Sequence, residues 1–316
     1  MNLIEDAMKR LAQEEGGSLL PWPGEVQSLE PYEGQILEPP TTAPDAEAPN
    51  TSGLPSEHQA AANDSVLPAP ITSLLPKTHC TIDLVALRAA GYLVADDARS
   101  EMAEQFRLVK RPLLKHASSK SSTPEQRGSL VMVTSALPGE GKTFCSINLA
   151  MSIAMEVDTA VLLIDADVVR PQVFNQLGIT VRPPGLLDLL TDDKLLLAET
   201  LVSTNVPNLT IMGPGRSNRR STELLASAAM DRLLTELAAI YAEHIVIFDA
   251  SPLLVTTESS VLAPKVGQVL MVVEAAKTPR NSVERAFAAL RNCPVVVSVL
   301  NKCEERTDIS QYGYYS

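Results

Sequence analysis

The chain holds four cysteines, Cys80, Cys145, Cys293 and Cys303, and none of them form close pairs or a C-x-x-C unit. That spacing excludes a zinc-ligating cluster and a disulfide framework, and it points to thiols in a reducing compartment. Long apolar runs are also missing: no stretch approaches the ~18–20 residues a membrane helix needs. The N-terminus, Met1-Asn-Leu-Ile-Glu-Asp-Ala-Met-Lys-Arg-Leu11, is amphipathic and charged and lacks the apolar core of a signal peptide. The expected location is therefore the cytoplasm, with any contact to the inner face of the membrane supplied by a partner. Basic charge is scarce. Residues 1–79 carry 12 acidic and 3 basic side chains, a net of −9 within the chain's −12, which leaves −3 for residues 80–316. With no basic excess, nucleic acid is not an expected partner.

What is present divides along the chain. At 316 residues and 45% hydrophobic, there is enough sequence for one sizeable α/β core and additional material. Residues 1–15 read as a short amphipathic helix, with Leu3, Ile4, Ala7, Met8 and Leu11 on one stripe. Such a helix is too short to be stable alone. Residues 16–78 hold 11 of the 23 prolines among Ser, Thr and acidic residues, and read as a disordered acidic linker. Residues 79–316 read as one folded domain. Its first helices are predicted over 82–88, ending near Gly91, and over 100–115 with Ser100 as N-cap. Strands are predicted at 130–134, 160–165, 209–212, 244–249, 268–273 and 295–300, rich in Val, Ile and Leu. Such runs, alternating with helical segments, predict a doubly wound, mainly parallel sheet flanked by helices.

Between the apolar run Leu130-Val-Met-Val133 and the helical run Phe144 to Ala154 lies Ser135-Ala-Leu-Pro-Gly-Glu-Gly-Lys-Thr143. A strand, a glycine-containing loop and a helix start make the context a phosphate-binding P-loop requires. Gly139 and Gly141 let backbone N–H groups turn inward on a phosphate. Lys142 adds a point charge for the outer phosphates, and the Thr143 hydroxyl can ligate Mg²⁺. Ala136 takes the place of the usual first glycine. A glycine turn that merely precedes Lys-Thr is the plain alternative, and the flanking strand and helix argue against it.

Two more carboxylate-bearing strands follow. Val161-Leu-Leu-Ile-Asp165-Ala-Asp167 ends in acids spaced i, i+2, delivered to the crevice where the P-loop opens. Paired carboxylates beside a triphosphate suit Mg²⁺ ligation and positioning of an attacking hydroxyl, although an Asp-x-Asp unit can also simply cap a helix. Ile245-Val-Ile-Phe-Asp249 has the Walker B pattern, an apolar strand ending in a carboxylate for the metal. The C-terminus, Gln311-Tyr-Gly-Tyr-Tyr-Ser316, holds Tyr312, Tyr314 and Tyr315, half of the chain's 6 tyrosines. A polar tail offers these rings no core, so they read as presented phosphate acceptors or as a docking element for a neighbour.

The order Walker A (Ala136–Thr143), Walker A′ (Leu163–Pro171), Walker B and terminal tyrosines resembles the bacterial tyrosine autokinase (BY-kinase) family that serves exopolysaccharide export. The resemblance covers roughly residues 80–316 and looks closest to the exopolysaccharide-locus, exosortase-associated branch, in which the kinase is a chain separate from its membrane partner. It implies ATP and Mg²⁺ as cofactors. Pro138, Gly139, Glu140, Gly141, Lys142, Thr143 and Phe144 would hold the nucleotide, with Asn301 touching the adenine. Lys142, Asp165, Asp167 and Arg170 would be catalytic, and Thr143, Asp167 and Asp249 would hold the metal. Tyr312, Tyr314 and Tyr315 would be the acceptors. Glu104-x-x-Arg107-x-x-Lys110 resembles the family's E-x-x-R-x-x-R oligomerisation helix, so a homo-oligomer is implied, a ring being one form open to it. So are a chain-length-determinant-type membrane activator and a cognate phosphotyrosine phosphatase. The departures are Lys110 for arginine, which weakens bidentate pairing, Glu258 where Asp is more usual, and a short tyrosine cluster.

A phenol with pKa ~10 is only about 0.1% ionised at pH 7, and a carboxylate near ~4 is a poor base for it. A loose phosphoryl-transfer transition state demands little prior deprotonation, so Asp165 would chiefly orient the hydroxyl and accept its proton late. Which of Asp165 and Asp167 lies nearer the acceptor stays open. The 11 residues from Asn301 to Tyr312 span at most about 37 Å, a reach that covers a neighbour's site and also the chain's own. The oligomerisation helix favours transfer between subunits. The competing reading is a partitioning-type ATPase switch of the ParA/MinD kind. Its signature lysine would stand at Leu137, and an apolar residue there has no reach to a phosphate. A GTPase is excluded because Asn301-Lys302 is followed by Cys303, not by the x-Asp that reads guanine.

Overall fold

The computed structural model describes residues 75–94, 99–118 and 127–303. The expected N-terminal helix, nearly all of the linker and the tail tyrosines Tyr312, Tyr314 and Tyr315 lie outside the described residues. Within them the chain alternates strands and helices. The strands are β1 (Thr78–Cys80), β2 (Leu130–Ser135), β3 (Val161–Asp165), β4 (Leu201–Thr204), β5 (Leu209–Met212), β6 (Ile245–Asp249), β7 (Gln268–Glu274) and β8 (Val295–Asn301). They form one sheet in the order β1-β4-β5-β3-β6-β2-β7-β8, parallel at every pairing except β4 with β5. The helices are α1 (Leu84–Ala89), α2 (Glu101–Ala117), α3 (Lys142–Ala154), α4 (Val173–Gln176), α5 (Leu186–Leu189) and α6 (Leu197–Thr200). After them come α7 (Ser221–Ala226), α8 (Ala228–Ile240), α9 (Glu258–Leu262) and α10 (Arg280–Ala289).

The central strands carry no polar alternation because both of their faces are covered. In β2, Val131 and Val133 point into one apolar layer, shared with Phe106 of α2 and Ile147 of α3. Leu130 and Met132 point into the other, shared with Leu233 and Leu237 of α8 and Leu262 of α9. Parallel strands buried this way bring their carboxyl ends out at one edge, and the P-loop opens there.

Two strands escape the sequence reading. Thr78–Cys80 pairs with β4, so the folded part begins inside the stretch assigned to the linker, just before the expected start at residue 79. The strand β4 follows directly on α6, with no break in the chain to announce it.

The helix α2 begins where its N-cap predicts: the Ser100 hydroxyl accepts from the Ala103 N–H at 3.1 Å. Glu101 and Glu104 occupy its first turn and Lys115 and His116 its last, each matched to the helix dipole. Its buried stripe is Ala103, Phe106, Lys110 and Leu113.

Candidate nucleotide and phosphotransfer site

The loop that leaves β2 turns through two left-handed glycines, Gly139 at φ 87° and Gly141 at φ 95°. A side chain at Gly141 would in addition meet the Asn301 amide at 2.0 Å, so only glycine serves there. Gly141 caps α3 without any side-chain hydrogen bond, leaving the first-turn N–H groups available for an anion.

Three carboxylates converge beside that loop. The register of the sheet sets Asp165, the last residue of β3, directly against Asp249, the last of β6. Asp249 is also paired with Val133 of β2, one strand further on. The Thr143 hydroxyl donates to Asp249 Oδ2 at 2.7 Å, and Ser146 donates to Asp249 Oδ1 at 2.9 Å. The Lys142 ammonium sits on Asp167 Oδ2 at 2.6 Å, and the backbone N–H of Arg170 donates to Asp167 Oδ1 at 3.0 Å. Asp165 Oδ2 accepts the Val173 N–H at 3.0 Å, while Asp165 Oδ1 is buried with no partner.

Such crowding moves the acids and the base in opposite senses. Burial, with the neighbouring Asp249 charge, pushes the Asp165 carboxyl up to about 8. Burial also raises Asp249, against the pull of Lys142 and of the Thr143 and Ser146 hydroxyls. For Lys142, burial lowers the pKa, but Asp249, Asp167 and Asp165 outweigh it and hold the ammonium above its ordinary value. The expectation of an Asp165 carboxyl near ~4 is thereby revised, because in this site it stands much closer to a phenol's ~10.

The donors here are hard oxygens, which suits Mg²⁺. No group of three or more His, Cys, Asp or Glu among the described residues is gathered as a metal cage. Mg²⁺ is commonly held by one or two carboxylates together with substrate phosphates, and Thr143, Asp167 and Asp249 fit that mode.

The other expected residues fall in distinct places. Pro138 is exposed at the loop tip. Glu140 is buried and its carboxylate braces the loop, accepting from the Leu137 N–H at 2.6 Å and from the Thr278 hydroxyl. Only its backbone is left for a phosphate. Phe144 packs against the core and tilts against the Tyr92 ring at 5.1 Å. The Arg170 side chain is exposed beside the site. Asn301, expected at an adenine, spends its amide N–H on the Glu140 carbonyl at 2.8 Å and so supports the P-loop from beneath. On α2, Glu104 is exposed and paired with Arg107.

Lys110 departs from its expected role as an oligomerisation residue. It is buried, donates to the Ser152 carbonyl at 2.5 Å and pairs with Glu156 at 2.6 Å, binding the end of α3. Steps of three along a 3.6-residue helix fall progressively behind, so position 110 lies about 120° round from position 104.

Sequence reasoning missed Ser146, Thr278 and Lys302. Ser146 stands one turn beyond Lys142, a signal that was available. Lys302 donates to the Gly139 carbonyl at 2.6 Å and pairs with Glu274 at 3.3 Å, a contact between distant segments that no local pattern announces.

No protein-family model matches the chain. It is 28% identical over 220 residues to the tyrosine-protein kinase YwqD of Bacillus subtilis, covering 69% of this chain and 88% of that one. The chain is similar to several bacterial tyrosine-protein kinases. It is also 30% identical over 238 residues to the succinoglycan biosynthesis transport protein ExoP of Rhizobium meliloti, spanning 74% of this chain but only 28% of that protein. The chain likewise spans only about a quarter of the length of several other named tyrosine kinases. Among solved structures, the kinase domain of Escherichia coli tyrosine kinase ETK matches with TM-score 0.56 and 26% identity, over 70% of this chain and 83% of that one. Among its described residues no helix is long and apolar enough to cross a membrane.

Proposed function

We propose that the chain is an ATP-dependent protein-tyrosine autokinase of exopolysaccharide polymerisation and export, phosphorylating Tyr312, Tyr314 and Tyr315 between subunits. The observation that carries this reading is the register pairing of Asp165 with Asp249 beside Lys142, with one Asp165 oxygen buried and unpartnered. Lys142 moves from Asp167 to the outer phosphates. Thr143, Asp167 and Asp249 would hold Mg²⁺, which when bound offsets the negative charge of the phosphates. The Asp165 oxygen receives the hydrogen bond of a tyrosine hydroxyl. The phenolic oxygen bonds to the γ-phosphorus, the bond to ADP breaks with its electron pair leaving on ADP, and the phenolic proton passes to the ionised form of the Asp165 carboxylate. Arg170, exposed at the rim, is within the same loop and is assigned to the transferring charge. Glu104 and Arg107 are assigned to self-association, and Asn301 to the adenine rim of the P-loop it supports. A chain-length-determinant-type membrane protein as activator, and a phosphotyrosine phosphatase as antagonist, complete the proposal. The names of relatives in polysaccharide transport support it.

The alternative ATPase switch lacks support at its signature position, because Leu137 packs against the core. The test mixes a Lys142→Met chain, whose tail is intact, with an active chain whose three tail tyrosines are Phe. Phosphate should appear on the inactive chain's tail, and more slowly on dilution. A blank tail in a demonstrably co-assembled mixture would overturn transfer between subunits.

A further inference from the structure

Tyr92 lies outside the P-loop and the strand-end acids, yet it touches elements that carry both. It belongs to an arm, residues 81–94, that follows β1 and is fixed at two points. Asn205 grips Ile82 from both sides, its Oδ1 accepting the Ile82 N–H at 2.8 Å and its Nδ2 donating to the Ile82 carbonyl at 3.1 Å. The Leu93 N–H donates at 2.7 Å to Asn148 Oδ1 of α3, a buried side chain whose Nδ2 donates to the Phe144 carbonyl at 2.8 Å. Beside that second anchor Tyr92 reaches two helices at once. Its ring tilts against Phe144 of α3 with centroids 5.1 Å apart, and its hydroxyl donates to Oε1 of Gln176, the last residue of α4, at 2.5 Å.

Each contact ends close to the chemistry. Phe144 follows Thr143 in the first turn of α3. α4 starts at Val173, whose N–H holds Asp165 Oδ2 at 3.0 Å while Oδ1 stays unpartnered. α4 is a single turn of 4 residues, too short to be stable on its own. Its inner residues Val173 and Phe174 are buried, whereas Asn175 and Gln176 are exposed. On that outer side Arg182 donates to Asn175 Oδ1 at 3.2 Å and Tyr92 donates to Gln176. Apolar packing sets how deep such a turn sits, and directional polar contacts set its rotation. Rotation of the turn carries the Val173 N–H, and with it the direction of the free Asp165 oxygen. A phenylalanine ring would serve the contact with Phe144, so the hydroxyl is what ties the arm to α4.

We propose that Tyr92 is a positioning residue for phosphotransfer: by joining α3 to α4 it fixes the Asp165 carboxylate relative to the phosphates held at Lys142 and Thr143. It acts through Gln176 and Val173 and takes no proton itself. The inference rests on the phosphotransfer reading for what Asp165 receives. A misplacement of about 1 Å between reacting groups costs on the order of 10²-fold in rate. Loosening the brace therefore lowers turnover and leaves nucleotide binding, which belongs to the P-loop, as it was.

The test compares full-length Tyr92→Phe, Gln176→Leu, the two combined, and Gln176→Glu. Initial rates of transfer to a Lys142→Met chain are measured against Mg-ATP concentration, and exchange of the Val173 amide is followed by NMR on isotope-labelled protein. Tyr92→Phe, which keeps the ring on Phe144, should lower kcat about tenfold with KM for ATP unchanged. Its Val173 amide should exchange about tenfold faster while the amides of β3 keep native rates. Gln176 is exposed, so its variants test the same bond with the core untouched. Gln176→Leu should match Tyr92→Phe, the combined variant should be no worse than either alone, and Gln176→Glu, which retains an acceptor for the phenol, should keep the native rate. Native kcat in Tyr92→Phe, loss of kcat with native Val173 exchange, or additive losses in the combined variant would overturn the brace and leave phosphotransfer standing. Faster Val173 exchange in both single variants, from a native chain that transfers no phosphate, would sink the kinase reading and leave Tyr92 as the brace of Asp165.

Discussion

At the carboxyl edge of the sheet Asp165, Asp167 and Asp249 are buried around a largely buried Lys142, whereas on α2 the Glu104–Arg107 pair lies near solvent. The two regions hold the same kinds of groups under different physics. Burying three carboxylates with one ammonium opposes folding, because desolvation exceeds what the pairings return. A fold keeps such a cluster where its charge acts on something, and here the Asp165 carboxyl rises to about 8 as a result. The α2 pair costs little and contributes little, typically below ~1 kcal/mol. The role proposed for the pair is to meet another copy of the chain. Lys110, on the same helix, belongs with the first kind of group, since it is buried and its ammonium is committed to α3.

The comparison is broken most readily at Lys142. Lys142→Met should leave a folded protein and reduce tail phosphorylation by a factor on the order of 10³, the scale of losing a preorganised charge in a dry site. Normal phosphotyrosine in soluble Lys142→Met protein would show that the buried cluster is not the phosphotransfer centre. Next in size is Lys110→Ala, which should cost roughly 2 kcal/mol in urea unfolding by orphaning the Ser152 carbonyl. Light scattering should show the oligomer of that variant unchanged where the monomer is folded.

The third test is pH. The native Asp165 carboxyl titrates near 8 and the unfolded one near 3.8, so the native state holds an extra proton between those values. Its stabilising effect is complete below the lower value and is lost as pH rises towards 8, by at most about 1.4 kcal/mol per pH unit. Asp165→Asn removes this loss. In EDTA, the variant's stability advantage over the native chain should therefore be larger at pH 8 than at pH 5, and an advantage equal at both would contradict the burial argument. The smallest effect is expected on α2. Glu104→Ala with Arg107→Ala should change unfolding free energy by less than ~1 kcal/mol while shifting the oligomer to smaller species.

The parts of the fold legible in the sequence are those where burial is two-sided. β2, β3, β6 and β7 read as unbroken apolar runs because helices cover both faces. Thr78–Cys80 has no such run and is a strand only because β4 lies beside it. The P-loop and the two strand-end carboxylates were legible because local backbone chemistry dictates glycine, lysine and aspartate at those points. The braces were not. Thr278 on Glu140 and Lys302 on Gly139 join segments 138 and 163 residues apart, and only the sheet order brings them together. Lys110 misled because a three-residue spacing suggests one face, whereas the helix turns position 110 onto the buried stripe with Phe106 and Leu113.

The central claim, that the Asp165–Asp249–Lys142 cluster acts on the chain's own tail, is tested most directly by incubating the purified full-length protein with Mg-ATP and mapping phosphate by mass spectrometry. The account predicts phosphotyrosine at Tyr312, Tyr314 and Tyr315, none at Tyr92 or Tyr241, and none anywhere when the three tail residues are Phe. ATP consumed to ADP and free phosphate with the tail unmodified, or phosphotyrosine that persists in the Phe variant, would contradict it.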